Sequence, residues 1–186
     1  DKDVRCATTY SKNNINRAID GAAARFLHYD IFPKSRLYKE GQQDDLLAEL
    51  KALVPSYRAK APRAPLMFAI CAPCQPFTTL SKNEMSKERT AGRRRDKNLL
   101  REATRFVEHF MPEMVLSENV QGIGDQRYGG VWDAFQKGLR KLGYATGTKV
   151  VCTSRFGIPQ YRKRSILLAV RKDRKSTRLN FSHTDI

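Results

Sequence analysis

The amino-acid sequence predicts an α/β fold: a mostly parallel sheet with helices on both faces. Two observations carry this. Short apolar segments of strand character alternate with stripes at helical spacing. One of those segments, Leu66 to Cys71, is an unbroken apolar run between Pro65 and Pro73, the pattern of a strand buried on both faces. With 40% hydrophobic residues in a chain of 186, there is apolar material for a packed core, which excludes a fully disordered chain.

The elements follow in order. Leu46, Leu47, Leu50 and Val54 mark a helix whose first turn carries Asp44 and Asp45, where carboxylates meet the positive end of the helix dipole. Residues 61–65 form a short loop into the Leu66–Cys71 strand. Ser81 to Arg95, polar and containing Gly92, predicts a long loop. Leu99, Ala103, Phe106, Val107 and Phe110 share one helical face, and Pro112 ends that helix. Met114 to Leu116 is a strand. Val131, Trp132, Phe135, Leu139 and Leu142 form a further helical stripe closed by Gly143. Ala145 to Thr153 and Ser165 to Val170 complete the strands. There is no internal repeat.

The net charge is +16, and it is clustered. Lys82 to Arg101 contributes +5 and Arg162 to Arg178 contributes +7. Concentrated positive charge points to a polyanionic partner, most simply nucleic acid. Apolar runs fall far short of the ~20 residues of a membrane span, so no membrane association is expected. No basic start followed by an apolar stretch indicates a signal peptide. The expected setting is cytoplasmic, and the expected state is a monomer. Four cysteines, Cys6, Cys71, Cys74 and Cys152, do not make a disulfide scaffold at this length.

Cys74 falls just past the carboxyl end of the Leu66–Cys71 strand, the edge at which open α/β sheets bind ligands. Pro73 and Pro76 enclose it in a rigid turn, which holds a thiol at low entropic cost. An ionised thiol is a strong nucleophile. A redox pair of Cys71 and Cys74 is disfavoured by the prolines, which oppose a helix start. A zinc site lacks paired ligands, since Cys6 and Cys152 stand alone and no metal ligand set accompanies them. A buried structural role is the plain alternative, and it suits Cys6, Cys71 and Cys152.

The segment Pro73-Cys74-Gln75-Pro76-Phe77-Thr78 resembles the catalytic motif of the cytosine carbon-5 DNA methyltransferases. Glu118-Asn119-Val120 resembles that family's Glu-Asn-Val motif. Phe156-Gly157-Ile158-Pro159-Gln160-Tyr161-Arg162-Lys163-Arg164 resembles its Gln-x-Arg-x-Arg motif. Three motifs in the right order, each at a strand end, make chance a poor account. Nearer the start, residues 7–13 are similar to the segment after the family's cofactor-ribose acid, and Asp30 matches the acid that touches the cofactor adenine. An ordinary turn-forming Asp30 is an equal reading.

The resemblance implies a Rossmann-like S-adenosylmethionine-dependent methyltransferase fold acting on double-stranded DNA, as in restriction-modification systems. It implies that Cys74 adds to carbon 6 of cytosine, making carbon 5 nucleophilic toward the methyl group. Glu118 would serve ring nitrogen 3; the chemistry needs its acid form, which burial favours. Arg164 would orient the base, with Arg162 supporting, the two alternating onto one strand face. Asp30 and Pro73 would face the cofactor. Gln75, Ser81, Arg93, Arg94, Arg95, Asn119 and Gln160 would contact nucleic acid, and the target base would be flipped out of the duplex. An RNA cytosine methyltransferase is the near alternative. A nucleic-acid-binding module with a structural Cys-x-x-Cys is the alternative of another class.

The pattern departs from the family at both ends. The glycine-rich cofactor loop has no counterpart, and Gly122-Ile123-Gly124 is too short a fragment to replace it. No target-recognition region follows. Residues 1–172 are expected to be part of a catalytic domain, incomplete at both ends. Residues 173–186 are expected to be a basic tail, non-native or disordered. A sheet lacking a central strand exposes an edge, so weak stability and weak cofactor binding are expected of the chain alone.

Overall fold

The computed structural model describes residues 3–14, 18–19, 22–23, 26–72, 87–125 and 130–172, with 11, 14, 18–19, 22–23 and 87–97 as backbone. The chain divides into two units, Asp1–Ala64 and Pro65–Ile186.

The first unit contains helix α1 (Val4–Asn14), a two-residue antiparallel pair of β1 (Ala18–Ile19) and β2 (Ala22–Ala23), and helix α2 (Gln43–Lys60). Asp44 and Asp45 sit in the first turn of α2, as expected, and the helix runs on through Pro55. The turn before α2 is knitted by its own backbone. Gln42 N–H donates to the Asp30 carbonyl at 3.0 Å, and Gln43 N–H donates to the Phe32 carbonyl at 3.1 Å. Gly41 permits this closeness: a Cβ there would meet the Phe32 oxygen at 2.5 Å and the Pro33 carbonyl at 2.6 Å. Phe32 is buried and stacks on Tyr38, ring centroids 4.3 Å apart.

The second unit is an α/β sheet with strand order β3-β4-β6-β5. Its strands are β3 (Met67–Ile70), β4 (Met114–Val120), β5 (Tyr144–Cys152) and β6 (Lys163–Arg171), with helices α3 (Lys87–Phe110) and α4 (Val131–Lys141) between them. The sheet is mixed. β3 and β4 are parallel, whereas β6 runs antiparallel to both β4 and β5. The expected parallel character is therefore confined, among the described residues, to one pair. The physical reason is the short return from Cys152 to Lys163, which needs no crossover helix and so makes an antiparallel pair.

The core lies under α4. Leu100, Val107, Val115, Ile123, Trp132, Phe135, Leu139, Tyr144, Leu167 and Ala169 form one buried cluster that also takes in Ala72. The stripe read from the sequence of α4 is the stripe that faces it. Gly143, with φ of +88°, closes α4 in the left-handed conformation that glycine tolerates. Trp132 Nε1 donates to Thr148 Oγ1 at 3.2 Å, pinning α4 to β5.

Three expectations are corrected here. β3 is an edge strand of the described sheet, and its residues alternate between exposed and half-buried, with Met67 49% exposed. An unbroken apolar run reports composition, not the number of neighbours a strand acquires. The loop expected over 81–95 is helical from Lys87 onward, so Arg93, Arg94 and Arg95 lie within α3. Lysine, arginine, glutamate and alanine are good helix formers, and together they outweigh a single Gly92, worth about 1 kcal/mol. Cys6 and Cys71 are exposed rather than buried; Cys152 is buried as expected.

At one end of the sheet a polar network ties the strands. Arg171 Nη1 donates to the Met111 carbonyl at 2.5 Å, and its Nη2 lies 3.1 Å from Glu113 Oε1. Glu113 Oε2 in turn accepts the Leu66 N–H at 2.7 Å. Tyr144 Oη donates to the Pro112 carbonyl at 2.6 Å. Met111, just past the end of α3, adopts a left-handed φ of +43°, its N–H donating to the Val107 carbonyl at 2.8 Å.

Candidate active site

The opposite sheet end gathers the motifs. β3 and β4 run in parallel register, Ile70 beside Ser117, so both exit at one edge. β6 enters at that same edge, Arg164 facing Val120. Separate stretches of chain, Cys71–Ala72, Glu118–Val120 and Lys163–Arg164, thus meet there by topology alone.

β4 is longer than its apolar stretch. It continues to Val120 because its polar residues find partners. Ser117 Oγ donates to the Ile70 carbonyl at 2.7 Å, and Asn119 Nδ2 donates to the Ala72 carbonyl at 3.0 Å. Both side chains are fully buried on the face that carries Val115 and the helices. Asn119 was expected to meet nucleic acid. A side chain with no exposed surface, committed to a neighbouring carbonyl, cannot do so in this conformation.

Glu118 points to the other face. Its Oε1 lies 2.7 Å from Arg164 Nε, a diagonal pair across β4 and β6. The carboxylate side chain is 37% exposed and that of Arg164 is 17% exposed. Glu118 was expected to be more buried; it stands instead at the rim, held by a cation. Close as the two groups are, Arg164 Nε is not aligned on that oxygen and is a buried donor without a hydrogen-bond acceptor among the described residues. Arg164 Nη1 donates to the Lys163 carbonyl at 2.8 Å.

Arg162 precedes β6 and is exposed, so it does not share the strand face of Arg164 as alternation suggested. Its backbone and that of Gln160 brace the turn: Thr153 N–H donates to the Arg162 carbonyl at 3.0 Å, and Thr153 Oγ1 donates to the Gln160 carbonyl at 2.5 Å. The Gln160 side chain is exposed. Asp30, in the first unit, is buried, and its Oδ1 accepts the Phe32 N–H at 3.2 Å, the bond of a turn-forming aspartate. Pro73, Cys74, Gln75 and Ser81 lie outside the described residues, and of Arg93, Arg94 and Arg95 only the backbone is described. Among the described residues no cluster of metal-ligating side chains occurs.

Residues 56–186 match the model of the C-5 cytosine-specific DNA methylase family, and the chain belongs to that family. It is 30% identical over 172 residues to the Type II methylase M.HgiDII of Herpetosiphon aurantiacus, a match covering 92% of this chain and 40% of that protein. It is 32% identical over 102 residues to the Type II methyltransferase M.BsuFI of Bacillus subtilis, covering 54% and 23%. The chain thus spans less than half the length of these relatives. Its fold is that of a putative DNA modification methyltransferase encoded within an E. coli prophage, with a TM-score of 0.57 at 18% identity over 92% of this chain and 38% of that one. The S. pombe Dnmt2 methyltransferase shares the fold with a TM-score of 0.52 at 21% identity over 95% and 42%.

Proposed function

We propose that this chain carries the catalytic part of an enzyme that methylates carbon 5 of cytosine in double-stranded DNA, within a restriction-modification system in the cytoplasm, acting as a monomer. Residues 1–172 are taken as one partial catalytic domain. The observation that carries the reading is the convergence of Ala72, Glu118 and Arg164 at one sheet edge, Ala72 being two residues before Cys74 along the chain.

S-adenosylmethionine, when bound, supplies the methyl group. Asp30 and Pro73 would face it.

The steps that fall to this chain are these. The Cys74 thiolate attacks carbon 6 of a flipped cytosine, forming an S–C bond and pushing the ring's electron pair toward carbon 5. Glu118, protonated from solvent once the incoming base draws Arg164 away from it, gives that proton to ring nitrogen 3. Carbon 5 takes the methyl group, then loses its own proton to a base. The ring electrons return, nitrogen 3 gives its proton back, and the thiolate leaves. Arg164, paired with Glu118 at 2.7 Å, would orient the base through its carbonyl oxygen. Arg162, Gln160, Gln75, Ser81 and the Arg93–Arg95 run would hold phosphates, which position a duplex without reading it.

Trapping tests the reading. Duplex DNA carrying 5-fluorocytosine cannot lose a proton from carbon 5, so the adduct accumulates. We expect a covalent complex with the full-length protein, lost in Cys74→Ser and kept in Cys71→Ser. Equal loss in both would favour a redox or metal role for the pair. An adduct with RNA alone would move the substrate class.

A further inference from the structure

We propose that Tyr161 is a substrate contact, its ring stacking on a nucleotide that flanks the target cytosine. The proposal rests on the reading of the chain as a DNA cytosine methyltransferase given above.

Tyr161 and Lys163 fill the two positions that the Gln-x-Arg-x-Arg motif leaves open, so the resemblance assigns them nothing. The structure gives them a shared arrangement. Tyr161 is the central residue of a three-residue turn, closed by Arg162 N–H donating to the Gln160 carbonyl at 3.1 Å. Thr153 fixes both ends of that turn from across the hairpin: its N–H donates to the Arg162 carbonyl and its Oγ1 to the Gln160 carbonyl. The backbone on either side is thus held, and Tyr161 stands 77% exposed between the two bonds. Lys163 Nζ lies over the ring, 5.3 Å from its centroid, within the range of a cation–π contact. Lysine occupies one face of the ring, and exposure leaves the other to a partner.

The surroundings define the chemistry of that partner. From Tyr144 to Lys172 the chain carries seven basic residues and no acidic one. Arg164 and Arg171 meet glutamates from other segments. Arg155, Arg162 and Lys163 are exposed about the turn, beside exposed Phe156 and Ile158. A fixed aromatic ring among cations fits unstacked nucleic acid: the cations take phosphates, and the ring takes a base of any identity. The turn also adjoins the proposed site. Tyr161 is three residues from Arg164, a backbone span of at most about 11 Å, against about 3.4 Å between successive nucleotides of a stacked strand. Flipping a cytosine out of the duplex strips each neighbouring base of one stacking partner. The Tyr161 ring replaces what one of them loses.

The test compares Tyr161→Phe, Tyr161→Leu and Tyr161→Ala with the full-length parent, and Lys163→Gln serves as a charge control. Readouts are affinity for duplex 5-fluorocytosine DNA without S-adenosylmethionine at several salt concentrations, and the unfolding midpoint. Because the side chain is exposed, the midpoint should not move; Leu keeps apolar bulk in the turn should alanine disturb it. We expect Leu and Ala to weaken binding about 5- to 100-fold, the worth of one stacked base, and Phe to bind as the parent does. The slope of log affinity against log salt should stay constant along the Tyr161 series, since no phosphate contact is lost, and should fall by about one in Lys163→Gln. Parent-like affinity in both Leu and Ala overturns the proposal. So does a loss in Phe equal to that in Ala, which would assign the effect to the hydroxyl. Unchanged DNA affinity with lost binding to phosphatidylserine vesicles in Tyr161→Ala overturns it in favour of a lipid surface. Failure of the parent itself to form the Cys74 adduct, with cofactor present, would sink the methyltransferase reading, and that result is read without any Tyr161 variant.

Discussion

Arg164 and Glu118, from strands separated along the chain by α4 and β5, stand with Nε and Oε1 2.7 Å apart at the exit edge of the sheet. The pair is diagonal in the β4–β6 register, so it exists only because β6 is antiparallel to β4. It joins the acid and the base-orienting guanidinium of the proposed site before any substrate is present.

Glu118→Gln keeps the shape of the side chain and removes its charge and transferable proton. We expect adduct formation to fall by about 10²- to 10⁴-fold, the usual worth of a positioned acid, with DNA affinity little changed. Arg164→Lys should not rescue Arg164→Ala, because an ammonium cannot reproduce the planar donor fork. Single-turnover trapping rates check both.

Tyr144 couples the second unit to pH. Burial raises its hydroxyl from an ordinary value of 10.0 to about 12. The raised folded value means that its contribution is fully present below pH 10 and is lost as pH rises from about 10 to about 12. Tyr144→Phe should cost about 1 kcal/mol at neutral pH through the lost bond to the Pro112 carbonyl. It should also lose stability less steeply than the parent over that window. Urea unfolding of both proteins at pH 9 and near pH 11.5 measures the difference; identical slopes would refute it.

Gly41→Ala should destabilise the first unit by about 1–3 kcal/mol, the scale of overpacking, because the added Cβ would meet the Phe32 and Pro33 carbonyls. Faster hydrogen exchange at the Gln42 and Gln43 amides, which bond to that turn, is the expected local signature.

Leu139→Ala removes a fully buried side chain of α4 from the cluster beneath the sheet. A loss of about 2–5 kcal/mol is expected, read from the denaturation midpoint. A loss under about 1 kcal/mol would mean that α4 is not packed as described.

Much of this architecture was legible in the residues. The α4 stripe, its Gly143 stop, the acidic start of α2 and the end of α3 before Pro112 are local patterns, and each appears where periodicity and punctuation put it. Glu118 and Arg164 were legible because motif order marks them. What misled was exposure. β3 reads as a strand buried on both faces and is a part-exposed edge strand of the described sheet, because an apolar run cannot count neighbours. Asn119 reads as a surface contact and is buried, because a polar residue's partner is unknowable before its strand is aligned. Arg162 reads as a strand residue, and β6 begins one residue later.

The sequence by itself determined the family, the identity of the chemical groups and most helices, since these depend on residue type and on spacing within one or two turns. The tertiary structure alone decided which groups meet: the direction of β6, the diagonal of Glu118 and Arg164, and the bond from Asn119 to Ala72. Those follow from strand register, and register is set by long-range hydrogen bonding and by the burial of one sheet face, which no local stretch of sequence contains.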